Sequence, residues 1–508
     1  MTRGTASGPT GRLGTLANEI KVLRERLRQG GGVDRIDAQH EAGKLTARER
    51  VGLLLDPGEP VFELGLLVGY DTVDEGGAAA GVVTSVGRIH GRETVVVAND
   101  ATVDGGTWSP GTVAKIQRAQ EVAMRCRLPV VYLADGEEGR IPVRGDAFPG
   151  RYGAGRILYY AALMRRHLGV PQLAAVMGPS SGTAAYLPAL SDVIVMVEGT
   201  SFLGVGDPRR ARAMTGRDAS AEELGGARVQ TEVSGLAHYR DPSDPACLER
   251  LRHLVGELPA PDRASPDRVA TPPVRLSYEL YDLIPDDHRQ PYDVRAVLEC
   301  LMDGDPLDEF QPEYAPEIVC VTGFLEGVHI GVVANARGLF RTSNPEGRPR
   351  LGGVVYAESA RKVAYFVETM NRQGTPLLFL QDVAGFMVGE DAEREGTLRA
   401  GADFVEVMAT ATVPKVAVTV NHAVGAGYHA MAGQGFDPDF TISLPTGRLG
   451  IAETEDDDGK AGADALQAAA RGLVDDVLLP EELRPTLGLV LRAALRNPGP
   501  HVGPFQIP

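Results

Sequence analysis

The sequence has few cysteines and no long apolar segment. Its 508 residues include only Cys126, Cys247, Cys300 and Cys320, which lie far apart and form no C-x-x-C pair. Disulfide frameworks and metal sites need closer spacing, so we interpret the four as reduced, mostly buried thiols. Apolar runs are short, as in 193–197, whereas a membrane span needs about 20 residues. With no apolar signal segment at the start, these absences favour a soluble, cytoplasmic protein that does not enter a membrane.

The motifs of several large enzyme classes are also missing. The absence of a G-x-x-x-x-G-K-[ST] loop and of G-x-G-x-x-G after a strand disfavours ATP and NAD as substrates. Without H-E-x-x-H, the common metalloprotease mechanism is disfavoured. The chain has 51 lysines and arginines against 68 aspartates and glutamates, a net charge of −17, and no basic block. Nucleic acid is therefore not an expected partner.

The same series of features occurs twice along the chain. The segments TVVVAND, AKIQRAQEVAMRC, LPVVYLAD and VPQLAAVMG correspond to IGVVANA, ARKVAYFVETMNR, TPLLFLQD and VPKVAVTV. Asn99 and Asn335 are 236 residues apart, and Pro171 and Pro414 are 243 apart. Short apolar strands that alternate with amphipathic helices predict an α/β fold with a largely parallel, buried sheet in each half.

A segment rich in proline and charge separates the two halves. It spans residues 258–275, with the sequence LPAPDRASPDRVATPPVR. Such composition is typical of a linker. We place the boundary near residue 270, which gives two predicted domains, 1–270 and 271–508, the first of which begins with two amphipathic helices.

Each half contains a glycine-rich turn at the start of a predicted helix. The turns are MGPSSGTA at 177–184 and VNHAVGAG at 420–427. Glycine lets the backbone approach a ligand, and the first amides of a helix point outward. Such donors suit a developing oxyanion, where one hydrogen bond can contribute about 3 kcal/mol. Small residues also permit close packing, but their matching positions favour a function, namely chemistry between two carbonyl-bearing substrates.

Longer motifs in both halves match one family. They include KLTARERVGLLLDPGEPVFELG, VVVANDATVDGGTWSPGTVAKIQRAQEVA and PLLFLQDVAGFMVG, within a region from about residue 45 to about residue 450. The sequence resembles the carboxyltransferase (beta) subunits of biotin-dependent acyl-CoA carboxylases of the propionyl-CoA and methylcrotonyl-CoA type. The resemblance implies a duplicated crotonase-like fold.

The resemblance also implies a mechanism without a side-chain nucleophile. In this family carboxybiotin releases CO2, its ureido nitrogen removes the α-proton of an acyl-CoA thioester, and the enolate attacks CO2. The amides of Gly182 and Thr183, in the acyl-CoA domain, would hold the thioester oxygen. Those of Gly425 and Ala426, in the biotin domain, would hold the ureido oxygen. The substrate-binding positions implied by the resemblance are Glu138, Gly139, Tyr186, Gly385, Phe386, Gly427 and His429.

The family's organisation implies partners for this chain. In the family the active site forms between the first half of one subunit and the second half of another, which implies a homo-oligomer, from dimer to hexamer. The sequence has no ATP-grasp region and no A-M-K-M biotin-attachment motif. A biotin carboxylase and biotin carrier subunit would therefore supply the carboxybiotin.

The sequence departs from the family at several of these positions. Glu137 and Glu138 replace small residues, Thr183 replaces a glycine, and His429 stands where propionyl-type enzymes have an acidic residue. If His429 lay against Glu138, the pair could act as an acid or base. The acidic segment after Ile451 is also shorter than the family's helical arm.

These departures keep two other hypotheses open. The main alternative is a biotin-independent decarboxylase or acyltransferase of the same fold, acting on a CoA or carrier-protein thioester. A third hypothesis is a noncatalytic scaffold that pairs with an active paralogue. The intact glycine turn at 425–427 argues against the scaffold.

Overall fold

Two structural units make up the chain. The computed structural model describes residues 11–70, 77–136, 150–259, 267–341, 349–450 and 462–503. The first unit consists of residues 24–262, and the second of residues 263–506 together with the first 23. Within the second unit, the Arg12 amide donates to Asp286 Oδ1 at 2.5 Å. The predicted domains 1–270 and 271–508 remain a prediction.

A seven-stranded sheet is the centre of the first unit. Its order is β1-β2-β3-β4-β5-β7-β9, with β1, β2 and β3 antiparallel and the others parallel, and β6 pairs with β8 beside it. The strands are β1 (Phe62–Glu63), β2 (Val82–Ile89), β3 (Arg92–Asn99), β4 (Val130–Ala134), β5 (Gln172–Val176), β6 (Pro179–Ser181), β7 (Val193–Val197), β8 (Phe202–Gly204) and β9 (Tyr239–Asp241). The central strands are apolar and buried throughout, as expected for a parallel sheet covered on both faces.

Helices α1 to α9 precede or connect these strands. They are α1 (Gly11–Arg28), α2 (Val33–Glu41), α3 (Ala47–Leu54), α4 (Pro110–Cys126), α5 (Ala154–Leu163), α6 (Thr183–Ala189), α7 (Pro208–Thr215), α8 (Ala221–Gly225) and α9 (Asp244–Gly256). Short 3-10 or π segments occupy Ala78–Gly81, Asp104–Gly106, Met164–Leu168 and Val229–Val233. Apolar side chains of α3 and α9 pack against the central strands in one core.

The second unit has a nine-stranded sheet of the same plan. Its order is β10-β11-β12-β16-β18-β19-β22, with β20 paired to β18 and β21 paired to β20. The strands of this unit, with four outside the main sheet, are β10 (Asp308–Phe310), β11 (Ile318–Leu325), β12 (Val328–Asn335), β13 (Leu339–Phe340), β14 (Arg350–Leu351), β15 (Val354–Val355), β16 (Leu377–Val383), β17 (Gly385–Phe386), β18 (Lys415–Val424), β19 (Phe440–Ser443), β20 (Arg448–Gly450), β21 (Ala463–Asp464) and β22 (Asp476–Val477). As in the first unit, an antiparallel hairpin, β11-β12, leads into parallel strands.

The helices of the second unit cover this sheet. They are α10 (Leu280–Leu283), α11 (Val294–Leu301), α12 (Ala357–Gln373), α13 (Glu390–Arg394), α14 (Thr397–Thr410), α15 (Gly425–Ala430), α16 (Ala465–Ala470) and α17 (Pro480–Ala494), with 3-10 segments at Ser277–Glu279 and Gln434–Phe436. The apolar faces of α12 and α14 form a core with β16 and β18.

The duplication extends to the hairpin turns. His90 and Gly91 have φ of 51° and 73°, and Glu326 and Gly327 have φ of 50° and 79°. Each turn joins two antiparallel strands through two residues of positive φ, which matches the twist of a hairpin. The turns are 236 residues apart, the offset between Asn99 and Asn335. The segments that the sequence repeat matches to each other therefore lie at equivalent positions in the two units.

Each unit also contains a buried lysine at the same helical position. Lys115 in α4 and Lys362 in α12 are 247 residues apart. Lys115 Nζ donates to Val82 O at 2.5 Å, and Lys362 Nζ donates to Ile318 O at 2.9 Å. Burial lowers the pKa of Lys362. Each ammonium group ties its helix to the first residue of a neighbouring strand. The helical periodicity does not predict this burial, because a lysine at such a position would be expected on the solvent-exposed face.

The cysteines and the apolar segments agree with the sequence prediction. All four cysteines are buried free thiols. Burial raises the pKa of Cys300 and Cys320 to about 12, which keeps them protonated and unreactive. Within the described ranges, the helices are too short or too polar to cross a membrane.

Candidate active site

The two predicted glycine turns each have a glycine of similar positive φ at the start of a helix. Gly182 has φ of 61° and Gly425 has φ of 56°, and the two are 243 residues apart. Gly182 immediately precedes α6, and Gly425 is the first residue of α15. A side chain at such a φ would be strained, which explains the glycines. The first amides of a helix have no carbonyl partner within it, so both turns present main-chain donors that the helices do not use.

Each turn is followed, at the same spacing along the sequence, by an exposed side chain. Tyr186 and His429 are also 243 residues apart, each four residues after its glycine. Tyr186 is 47% exposed, and His429 is exposed as well. The His429 ring lies 5.3 Å from the ring of Tyr428 and 6.1 Å from that of Phe436. The two predicted substrate-binding side chains therefore hold equivalent positions in the two units.

Three other predicted residues meet beside the second turn. A Cβ at Gly427 would lie 2.6 Å from Val383 Cγ2 and 3.1 Å from Gly385 Cα, so α15 approaches β17 more closely than any side chain allows. Gly385 itself has φ of 135°. Phe386 is partly buried and packs against Gly401. The structure thus brings Gly385 and Gly427 together, and close packing accounts for the glycine at 427.

A buried ionic network supports the first turn. Asp135 follows β4 and accepts from Lys44 Nζ at 2.8 Å and from Arg50 Nη1 at 2.7 Å. Arg50 Nε donates to Asp244 Oδ2 at 2.7 Å. Burial alone would lower the pKa of Arg50, but the two carboxylates raise it, so the guanidinium stays charged. A Cβ at Gly178 would lie 1.8 Å from Asp135 Oδ1, so the segment leading to the turn lies directly on this carboxylate.

The second unit has its own carboxylate at the equivalent strand end. Asp382, 247 residues after Asp135, is 1% exposed. Its Oδ1 accepts from Arg337 Nη2 at 2.5 Å and from the His422 amide at 3.2 Å, and His422 Nδ1 lies 3.0 Å away. Its Oδ2 accepts from the Tyr292 hydroxyl at 2.9 Å. Because His422 lies three residues before Gly425, Asp382 fixes the strand that leads into the second turn.

The environment of Asp382 keeps its carboxylate ionised. Burial would raise its pKa, but the hydrogen bond from His422 and the charge of Arg337 lower the pKa well below its ordinary value. The stabilisation from this group is then fully present above the unfolded-state pKa of about 4 and is lost as the pH falls toward the folded-state pKa.

Replacing Asp382 tests this electrostatic role. Asp382→Asn should lower the free energy of unfolding by about 2–3 kcal/mol at neutral pH, because it removes the buried carboxylate that pairs with the partly buried Arg337 guanidinium. The stability difference from the wild type, measured by urea unfolding, should shrink between about pH 5 and pH 3. Asp403→Asn, in an exposed pair with Arg399 at 2.9 Å, should change stability by less than about 0.5 kcal/mol. A difference for Asp382→Asn that does not depend on pH would contradict this account.

Some predicted residues cannot be placed. Glu137, Glu138 and Gly139 lie outside the described residues, as does the start of the acidic segment from Ile451. The pairing of Glu138 with His429 therefore stays a prediction. Asp135 and Asp382 are the last residues of the repeated segments LPVVYLAD and TPLLFLQD, and their 247-residue offset is the sequence signal that could have indicated their equivalent roles.

Comparisons with known proteins identify the family. Residues 38–457 match the family model described as the carboxyl transferase domain. The chain is 34% identical to the mitochondrial methylcrotonoyl-CoA carboxylase beta chain of Arabidopsis thaliana, over 95% of this chain and 86% of that protein. It is 40% identical to the biotin-dependent 3-methylcrotonyl-coenzyme A carboxylase beta1 subunit of Mycobacterium tuberculosis, over 83% of this chain and 77% of that protein.

A solved structure agrees with these sequence relatives. The beta subunit of P. aeruginosa geranyl-CoA carboxylase matches with a TM-score of 0.84 and 28% identity, covering 99% of this chain and 98% of that chain. The chain therefore belongs to the carboxyl transferase domain family. The predictions of a duplicated crotonase-like α/β fold and of a carboxyltransferase enzyme are confirmed.

Proposed function

We propose that this chain is the carboxyltransferase subunit of an acyl-CoA carboxylase. It transfers a carboxyl group from biotin, carried by a partner subunit, to an acyl-CoA thioester. The observation that carries this proposal is the pair of positive-φ glycine turns at equivalent positions, one for each substrate. The named relatives, all beta subunits of acyl-CoA carboxylases, support it. They do not favour the biotin-independent alternative.

In this proposal the chain acts through its main chain. The amides of Gly182 and Thr183 hold the thioester oxygen as it becomes an enolate oxygen, and those of Gly425 and Ala426 hold the ureido oxygen. Biotin, when bound, supplies the carboxyl group and the base. The residues present fit this role, because Gly425 is partly exposed, Ala426 is exposed, and neither carries a side chain beyond a methyl group. Donors positioned before the reaction cost no reorganisation when charge develops.

The side chains near the turns serve substrate selection. We assign Tyr186 and His429 to contacts with the substrates, beside Gly385, Phe386 and Gly427. Among the described residues, His429 has aromatic neighbours and no carboxylate partner, which supports a binding role over acid–base chemistry. Glu138 and Gly139 remain predicted substrate-binding residues on the sequence resemblance alone.

The proposal includes partners and a location. A biotin carboxylase and biotin carrier subunit supplies the carboxybiotin, and the chain assembles as a homo-oligomer, from dimer to hexamer. A cytoplasmic location remains a prediction from the sequence.

A reconstituted reaction tests the proposed function. The purified chain, mixed with a biotinylated carboxylase partner, ATP and labelled bicarbonate, should incorporate label into 3-methylcrotonyl-CoA, propionyl-CoA or geranyl-CoA. Avidin should abolish incorporation, because it sequesters the biotin. Turnover of the thioester that continues after complete removal of biotin would contradict the proposal and revive the biotin-independent alternative.

A further inference from the structure

A bulge in β18 precedes the second glycine turn. Gln381 of β16 is opposite Thr419 of β18, yet Val383, two residues later, is opposite Ala423. Residues 420–422 therefore bulge out of the ladder shortly before α15 begins. A bulge bends its strand and is often found where a strand must direct a functional group.

The side chain of Gln381 joins the start of this bulge to the far end of α15. Gln381 is 1% exposed. Its Oε1 accepts from the Thr419 hydroxyl at 2.7 Å, and its Nε2 donates to Met431 O at 2.7 Å. Met431 is the residue that immediately follows α15. One buried amide group therefore connects the strand before the turn with the end of the helix after it.

The helix α15 needs such support because it is short. It has six residues, and isolated helices of fewer than about 12–15 residues are marginal in water. The direction of its first amides therefore depends on what holds its two ends. Asp382 holds His422 before the helix, and Gln381 holds Met431 after it.

The first unit has the same bulge without the bridge. Ala134 is opposite Val176, and the Gly136 amide then donates to Pro179 O at 2.9 Å, two residues beyond the carbonyl that a regular parallel ladder would use. Ala134 and Val176 are equivalent to the glutamine and the threonine of the bridge, at offsets of 247 and 243 residues. Their side chains have no hydrogen-bonding atoms, so these positions cannot form the bridge beside the first turn.

We propose that Gln381 is a positioning residue for the second turn. By holding Thr419 and Met431 together, it directs the amides of Gly425 and Ala426 toward the ureido oxygen of biotin. This inference rests on the proposed function, in which the second turn binds biotin and the first binds the thioester. Loss of the bridge therefore weakens the interaction with biotin and leaves the thioester site unchanged.

The variant Gln381→Met tests the proposal, because methionine is similar in length but forms neither hydrogen bond. The assay uses the full-length chain, free biocytin and a labelled carboxylated thioester, and it measures the reverse of the proposed reaction. The bond from the carboxyl carbon to the thioester breaks, a bond to the ureido nitrogen forms, and the proton of that nitrogen passes to the thioester carbon. The KM for biocytin should rise about tenfold, the size expected for one hydrogen bond, and the KM for the thioester should not change.

Gln172 provides a matched control in the first unit. It is fully buried, its Oε1 accepts from the Tyr132 hydroxyl at 3.4 Å, and its Nε2 donates to Ala161 O at 2.9 Å. Gln172→Met therefore removes the same two kinds of hydrogen bond and should lower the melting temperature by a similar amount. Because Gln172 is at the start of β5 and the first turn follows the end of that strand, both KM values should equal those of the wild type.

A double variant separates positioning from stability. In Gln381→Met with Thr419→Val, the valine removes the hydroxyl that methionine leaves unpaired. The melting temperature should therefore exceed that of Gln381→Met alone, whereas the KM for biocytin should stay raised.

Hydrogen–deuterium exchange tests the positioning without any substrate. Gln381→Met should speed exchange in peptides that cover residues 420–431 and not in those that cover 176–189. The inference is overturned if exchange in 420–431 equals that of the wild type, or if Gln381→Met keeps the wild-type KM for biocytin or raises both KM values equally. A wild type that transfers no label to biocytin would instead overturn the proposed function.

Discussion

Thr183→Pro should lower kcat for acyl-CoA carboxylation about 10²–10³-fold, the usual effect of deleting one oxyanion-hole donor. Thr183 is the first residue of α6, a position that tolerates proline because a helix does not need the first amides for its internal hydrogen bonds and the fixed φ of proline suits the first turn. Gly182 has φ of 61° and ψ of −136°, the mirror image of an extended conformation, which glycine adopts readily. The substitution therefore removes one N–H group with little cost to the helix.

Thr183→Ala is the matched control for this variant. It removes the hydroxyl and the branched side chain but keeps the amide, so its kcat should stay within a few-fold of the wild type. Steady-state kinetics with carboxybiotin-loaded partner and acyl-CoA measures both variants, and circular dichroism checks that α6 and the fold are retained. If Thr183→Pro, correctly folded, retained wild-type kcat, the Thr183 amide would not stabilise the transition state.

Arg50→Met should lower the free energy of unfolding by about 4 kcal/mol, because it leaves buried carboxylates without their cation. Arg50 is 1% exposed and binds Asp135 and Asp244 at 2.7 Å each. Lys44 still pairs with Asp135 in the variant, but among the described residues Asp244 keeps only the Leu45 amide, at 2.9 Å. Urea unfolding at one fixed protein concentration, as the proposed homo-oligomer would require, measures the change.

An exposed arginine provides the comparison for Arg50. Arg212 pairs with Asp218 at 3.1 Å, and both side chains are largely exposed. Arg212→Met should change stability by less than about 1 kcal/mol, as is usual for surface ion pairs. Equal, small effects of the two substitutions would show that the network around Asp135 does not stabilise the first unit.

Much of the fold could be predicted because its signals are local. Apolar strands, the amphipathic helices α4 and α12, and the glycines of the two turns are properties of short segments. The repeated offsets then matched one half to the other, so Tyr186 and His429, or Gly182 and Gly425, could be recognised as equivalent positions before their coordinates were known. A glycine of positive φ is also a local requirement, since only the conformation of that one residue decides it.

The ionic networks could not be predicted in this way. Arg50 precedes Asp135 by 85 residues and Asp244 by 194, and nothing in the local sequence distinguishes it from a surface arginine of α3. The same holds for Lys115 and Lys362, whose carbonyl partners belong to other elements of the fold. Whether these side chains are buried depends on how the whole unit packs. Once they are buried, little water solvates their charges, so the charged groups bind to protein partners instead.

The sequence by itself determined the duplication, the α/β class and the two glycine turns, because each depends on residue types at fixed spacing. The tertiary structure alone decided which charges are buried beneath those turns and that Gly427 must lack a side chain to pack against Gly385. The physical reason is that a hydrogen bond or ion pair between distant segments has no sequence spacing of its own. Its strength depends on the water that folding removes around it.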